Sequence, residues 1–128
     1  MSSIEKDLKY ANTHEWVRLE GEDVAVVGIS DHAQSELGEL VYVELPEAGN
    51  EVMAGDEAGV VESVKAASDV YAPVSGKIIE VNDTLESTPD LVNSDAYGDG
   101  WLYKIKMSDT GELADLLSPE QYQDRIAE

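Results

Sequence analysis

Residues 24–29, VAVVGI, form a β-branched apolar run that predicts a strand. Behind it, Asp31 with Gln34 three residues on carries a helix-cap signature and Gly38 supplies a stop signal, so a short helix is expected between them. ELVYVEL, from Glu39, alternates like a half-buried strand; PEAGN then turns the chain, and EVM followed by AGD gives a short strand and a second turn. GVVESV leads into KAAS, DVYA into PVSG, and KIIEVN into a polar stretch from Asp83 to Gly100, after which WLYKIKM closes the set. Six or so short strands punctuated by turn residues predict a mainly β fold, a sandwich or flattened barrel.

The pattern changes after Met107. Asp109 with Glu112 makes one cap signature, and Ser118, Pro119 and Gln121 make another. Two short C-terminal helices are expected over about residues 109–127, packed on the sheet through Leu113, Leu116, Leu117, Tyr122 and Ile126. No stretch has the composition of a linker, so residues 1–128 read as one domain. A weak internal repeat appears when the segment from Val27 is set against that from Lys65: Ser30/Ser68, Asp31/Asp69, Gly38/Gly76 and Val43/Val81 coincide.

Charge narrows the partners. Eight basic residues against 28 acidic ones leave 8 − 28 = −20, a surface that repels phosphate backbones and anionic lipid heads, so neither nucleic acid nor membrane is expected. The same charge suggests a partner enzyme with a basic docking face. The chain has no cysteine, which removes disulfides, thiolate nucleophiles and cysteine-based zinc sites. Its N-terminus, MSSIEKDLKYANTHEW, has neither the apolar core of a signal peptide nor the Arg-rich character of a transit peptide, and a cytoplasmic protein is expected.

Lys65 stands between two strand-like runs, flanked by Val64 and followed by Ala66, Ala67 and Ser68, none bulky enough to screen its amine. Most turn lysines simply solubilise a protein. This one is one of only six lysines, and lies in a segment of small and apolar residues between Glu62 and Asp69. An attachment hairpin around residues 60–72 follows. ESVKAASDVYAPVSGKIIEVN resembles the lipoyl-attachment segment of the glycine cleavage H-protein family, and KYANTHEWV, VGISDHAQSELGELVYVELPEAG and LVNSDAYGDGWLYKIK resemble that family in the same order and spacing. The likeness runs from about Leu8 to Tyr122. Biotin carriers favour methionines on both sides of the lysine; Val64 and Ala66 stand there in this chain.

That resemblance implies a barrel-sandwich hybrid of the lipoyl/biotinyl-carrier kind with short helices, and a carrier that is not itself an enzyme. It implies lipoate joined by an amide to Lys65 by a lipoate-attaching enzyme. The arm would visit a pyridoxal-phosphate glycine decarboxylase that loads an aminomethyl group. It would next visit a tetrahydrofolate-dependent aminomethyltransferase that removes the one-carbon unit with release of ammonia, and then the FAD enzyme dihydrolipoamide dehydrogenase, which reoxidises the dithiol. The family's polar positions around the resting arm fall on Thr13, Glu15 and Asp69, with threonine where serine is more familiar. A cationic, water-sensitive cargo calls for such carboxylates and for exclusion of solvent. Without the resemblance, Glu15 and Asp69 would pass for ordinary solvated charges and Trp16 for plain core.

Rival functions remain at this level. A related H-like protein that relays lipoyl groups to other complexes needs the same lysine. A small hydrolase would have to recruit His14 or His32, the only histidines. Ser30, Asp31 and His32 are adjacent, but adjacency is poor evidence for a triad, whose side chains converge from separate segments. An unmodified acidic interaction module is the third. NSDAYGDG lacks the ligand order and terminal glutamate of a calcium loop, so no metal site is assigned.

Overall fold

The computed structural model describes residue 5 and residues 7–126 of the chain. Its strands are β1 (Lys9–Tyr10), β2 (Glu15–Glu20), β3 (Val24–Ile29), β4 (Leu40–Glu44), β5 (Glu51–Val52), β6 (Glu57–Ser63), β7 (Ala67–Tyr71), β8 (Gly76–Val81) and β9 (Tyr103–Met107). Its helices are α1 (Asp31–Leu37), α2 (Thr84–Ser87), α3 (Leu91–Ser94), a 3-10 helix over Thr110–Asp115 and α4 (Pro119–Ile126). The expected helical end at residue 127 lies outside the described residues. None of the described helices is long and apolar enough to cross a membrane.

Antiparallel pairing sorts the strands into a six-stranded sheet in the order β1-β2-β3-β9-β8-β5 and a three-stranded sheet in the order β4-β6-β7. Neither closes into a barrel. Val17, Val27, Ile29 and Ile105 from the first sheet meet Val43, Val61 and Val70 from the second in one core, capped by Leu85 of α2 and Val92 of α3. This is the barrel-sandwich hybrid expected. Alternation is visible where one face meets solvent: in β9, Tyr103, Ile105 and Met107 are buried while Lys106 is exposed.

β2 and β3 do not alternate, because their outer face is covered too. Tyr122 of α4 packs there with Leu8, Tyr10, Trp16 and Val26 in a second cluster, joined by Leu117 and Ile126, as the C-terminal apolar pattern anticipated. Leu113 and Leu116 pack on the main core. Trp16 sits opposite Gly28 in the β2–β3 ladder, and its indole lies so close over that glycine that a Cβ there would come within 2.5 Å of Trp16 Cζ2. Burying a tryptophan and two tyrosines in this layer removes about 150–250 Å² each from water, which is what fastens the C-terminal helix to the sheet.

Three local expectations need correction. The N-cap of α1 is Ser30, one residue before Asp31: Ser30 Oγ accepts the Ala33 amide at 3.2 Å, while Asp31 takes up Gln34 Nε2 at 2.7 Å within the first turn. Gly38 does end the helix, at φ +82°. The stretch from Asp83 to Gly100, read only as polar with no element assigned, contains α2 and α3, four residues each and too short to show a period. The internal repeat fails over its first half, where α1 would align with β7, and holds only where β4 aligns with β8.

Candidate functional site

Lys65 lies in a four-residue turn joining β6 to β7, within the hairpin expected. The Ser63 amide donates to Ala66 O at 2.8 Å, and Ser63 Oγ in turn accepts the amides of Lys65 and Ala66 at 3.3 and 3.1 Å. A serine at the first position of a turn holds the backbone this way without adding bulk. The backbones of Lys65 and Ala66 are therefore pinned while their side chains stay exposed. Val64 is 86% exposed, and Lys65, Ala66 and Ala67 are exposed as well. The Lys65 side chain runs past Gly38 at the end of α1, where a Cβ would lie 3.5 Å from Lys65 Cε.

Beside this hairpin is a cleft of about 150 Å³ between α1, β7 and the turn that precedes β2. Thr13, Glu15 and Asp69 all line it, so the structure brings together the three polar residues carried over from the family likeness. Apolar walls come from Ile29, Ala33, Leu37, Val61 and Val70. The strands explain the placement: β2 starts at Glu15, β7 carries Asp69 opposite Val60, and the two sheets converge there.

The three residues differ in character. Asp69 and Thr13 are exposed, but Glu15 is only 1% exposed and is not the solvated charge that composition suggests. Its carboxyl accepts the Thr13 hydroxyl on Oε1 and the Tyr71 amide on Oε2 at 3.0 Å. Burial pushes the carboxyl up from 4.5 to about 7, against the pull of those donors, because a desolvated carboxylate loses more than two hydrogen bonds return. Glu15 therefore exchanges its proton near neutrality.

His14, His32 and Glu36 also line the cleft and were not singled out as site residues. His14 has φ +80°, in the left-handed region, and its ring lies 5.2 Å from that of His32. His32 Nε2 is 3.6 Å from Glu36 Oε1, one turn along α1. Burial lowers the His14 pKa, with help from His32 and Arg125 and against the opposing charge of Glu36. His14 Nδ1 is 2.8 Å from the Tyr122 hydroxyl, which is 2.6 Å from Ser30 Oγ. No local pattern joins residues 108 positions apart, so this cluster is invisible in the sequence.

The hydrolase arrangement is not formed. Ser30 Oγ is engaged by Tyr122 and by the Ala33 amide, Asp31 holds Gln34, and His32 pairs with Glu36, so the three neighbours point to separate partners. In the NSDAYGDG segment, Asp95 Oδ2 accepts the Asp99 amide at 2.9 Å, a turn-capping role.

Comparison with known proteins agrees with this layout. A family model described as glycine cleavage H-protein matches residues 8–128. The glycine cleavage system H protein of Alteromonas mediterranea is 60% identical over 128 residues, covering 100% of this chain and 99% of that one. That of Alcanivorax borkumensis is 60% identical over 126 residues, covering 98% of each chain. A crystal structure of a glycine cleavage system H protein from Mycobacterium marinum superposes with a TM-score of 0.89 at 39% identity, covering 98% of this chain and 100% of the other. With the whole chain matched in sequence and in fold, it belongs to the glycine cleavage H-protein family.

Proposed function

We propose that this chain is a lipoyl carrier of the glycine cleavage system, with lipoate in amide linkage to Lys65 Nζ. The observation that carries the assignment is the pairing of a freely presented amine on a pinned turn with an adjacent cleft that is apolar on its walls and acidic at one end. The residues fit the group. A primary amine at a hairpin tip, with alanines on one side, can enter the active site of an acylating enzyme, and Ile29, Leu37, Val61 and Val70 suit a hydrocarbon arm with a sulfur ring.

When bound, lipoate supplies a disulfide that exchanges for a dithiol and carries a one-carbon cargo on sulfur. The chain's own residues do the rest. The Lys65 turn fixes the base of the arm, which raises the effective concentration of its tip at each partner. Glu15 and Asp69 offer negative charge to an aminomethyl ammonium, worth about 1 kcal/mol for a pair 4 Å apart in water and more where water is excluded. Thr13 keeps its hydroxyl on Glu15 and so orients that carboxyl. Glu15 must be ionised to act electrostatically, and a cation in the cleft favours that form.

The partners in this role are glycine decarboxylase, the tetrahydrofolate-dependent aminomethyltransferase, dihydrolipoamide dehydrogenase and a lipoate-attaching enzyme. Reconstitution from purified components tests the role. Lipoylated chain should support glycine-dependent release of carbon dioxide and ammonia with the decarboxylase, the aminomethyltransferase and the dehydrogenase present. Lys65→Arg should support neither, because arginine keeps the charge but is not a lipoate acceptor. Equal turnover with the variant would refute the carrier role.

A further inference from the structure

The hydroxyl of Tyr122 is buried between two walls of the cleft. It meets His14 Nδ1 on the turn before β2 at 2.8 Å and Ser30 Oγ at the start of α1 at 2.6 Å. The tyrosine ring cannot drift, since it stacks on Tyr10 with centroids 4.4 Å apart and planes 4° from parallel. Burial pushes its own pKa up to about 12, so it stays a neutral hydroxyl with one proton to give.

Counting donors fixes the direction of this chain. Ser30 is fully buried, and among the described residues its Oγ meets only the Ala33 amide, which it accepts, and the Tyr122 hydroxyl, so donating to Tyr122 is the one arrangement that gives its proton an acceptor. Tyr122, having accepted, donates its proton onward, and His14 Nδ1 must be the acceptor. An imidazole that accepts on Nδ1 carries its proton on Nε2. His14 stays neutral because burial and the neighbouring His32 and Arg125 oppose a charge there more than Glu36 favours it. Its position at φ +80° and the bond from the Ser30 amide to His14 O at 2.9 Å hold the ring's base in place.

We propose that Tyr122 is a positioning residue for the cleft, holding His14 as its Nε2–H tautomer so that the cleft presents a fixed hydrogen-bond donor beside Glu15 and Asp69. The atom it would receive is an acceptor of the arm, such as the amide carbonyl that attachment creates at Lys65. This rests on the cleft being where the arm shelters. The C-terminal helix thereby takes part in the site. Its role is chemical as well as structural, because the hydroxyl, not the ring, sets the tautomer.

The first test needs no arm. Nitrogen-15 NMR of the unmodified chain should show His14 as the Nε2–H tautomer at neutral pH, and Tyr122→Phe, which keeps the Tyr10 stack, should turn it into a mixture of tautomers. The opposite tautomer in wild type, or an unchanged His14 in the variant, overturns the proposal.

The second test uses lipoylated, enzymatically loaded protein freed of decarboxylase, and follows ammonia release with no transferase or tetrahydrofolate present. Tyr122→Phe should lose its load about threefold to tenfold faster, the range expected for one hydrogen bond. His14→Asn, which tolerates a positive φ but cannot reach as far into the cleft, should do the same and serves if Tyr122→Phe fails to fold. Glu15→Gln and Asp69→Asn separate the two ideas. If they leak while Tyr122→Phe and His14→Asn hold their load like wild type, the positioning role fails and the shelter stands. If all four hold their load, the shelter fails and the positioning role with it.

Discussion

Glu15 Oε2 accepts the Tyr71 amide at 3.0 Å, a bond that ties β2 of the six-stranded sheet to β7 of the three-stranded sheet. One carboxyl thus closes the floor of the cleft and supplies its most deeply buried charge. The arrangement makes the cleft sensitive to protonation, because the group that holds the sheets together there changes charge near neutrality.

Stability should follow that proton. Burial raises the folded Glu15 from 4.5 to about 7, so the folded protein binds the proton more tightly than the unfolded chain. The stabilisation is complete below the unfolded value and is lost as pH rises through the folded one. Glu15→Gln cannot titrate. The stability of wild type relative to Glu15→Gln should therefore fall by on the order of 3 kcal/mol between those two values and level off above them. Denaturant unfolding of both proteins across this range measures the difference, and a flat difference would show that Glu15 titrates normally.

Tyr103→Phe should stabilise the protein. The Tyr103 hydroxyl is buried with no hydrogen-bond partner among the described residues, so it has lost water without recompense. Removing it keeps the ring in the core and should gain about 1 kcal/mol. A lower unfolding midpoint for the variant would mean that the hydroxyl has a partner after all, an internal water being the simplest.

Gly28→Ala should be costly for so small a change. A methyl group there would meet Trp16 Cε2 at 2.6 Å, forcing the indole away from the sheet and loosening the layer that α4 packs on. Overpacking of this kind costs about 1–3 kcal/mol. Urea unfolding monitored by tryptophan fluorescence would report both the loss of stability and any shift in the indole's surroundings. An unchanged midpoint would contradict the close packing.

Much of the fold is legible in the sequence because one-sided strands announce themselves: β9 alternates along its length and β8 from Gly76 to Ile79, and Gly38 punctuates the end of α1. The alternation expected of β4 is broken by a bulge that leaves Val41 and Tyr42 both exposed. β2 is different. Glu15, Trp16 and Val17 are consecutive and all buried, Val17 in the main core and Trp16 under α4, so no alternation marks the strand and only the family likeness points to it. Thr13, Glu15 and Asp69 were reached by the same likeness, and their meeting in one cleft is a tertiary fact. The burial of Glu15 could not be read from a chain with 28 acidic residues, nor could the link from Tyr122 to His14, since both depend on where distant segments pack.

Attachment at Lys65 is tested most directly by intact mass and peptide mapping of wild type and Lys65→Arg after expression in a lipoate-replete host. Wild type should carry one lipoyl group, confined to the peptide that contains Lys65. Lys65→Arg should carry none while unfolding at the same denaturant concentration, as befits a change at an exposed turn. Modification that persists in the variant, or that maps to Lys77, Lys104 or Lys106, would contradict the assignment of the carrier lysine.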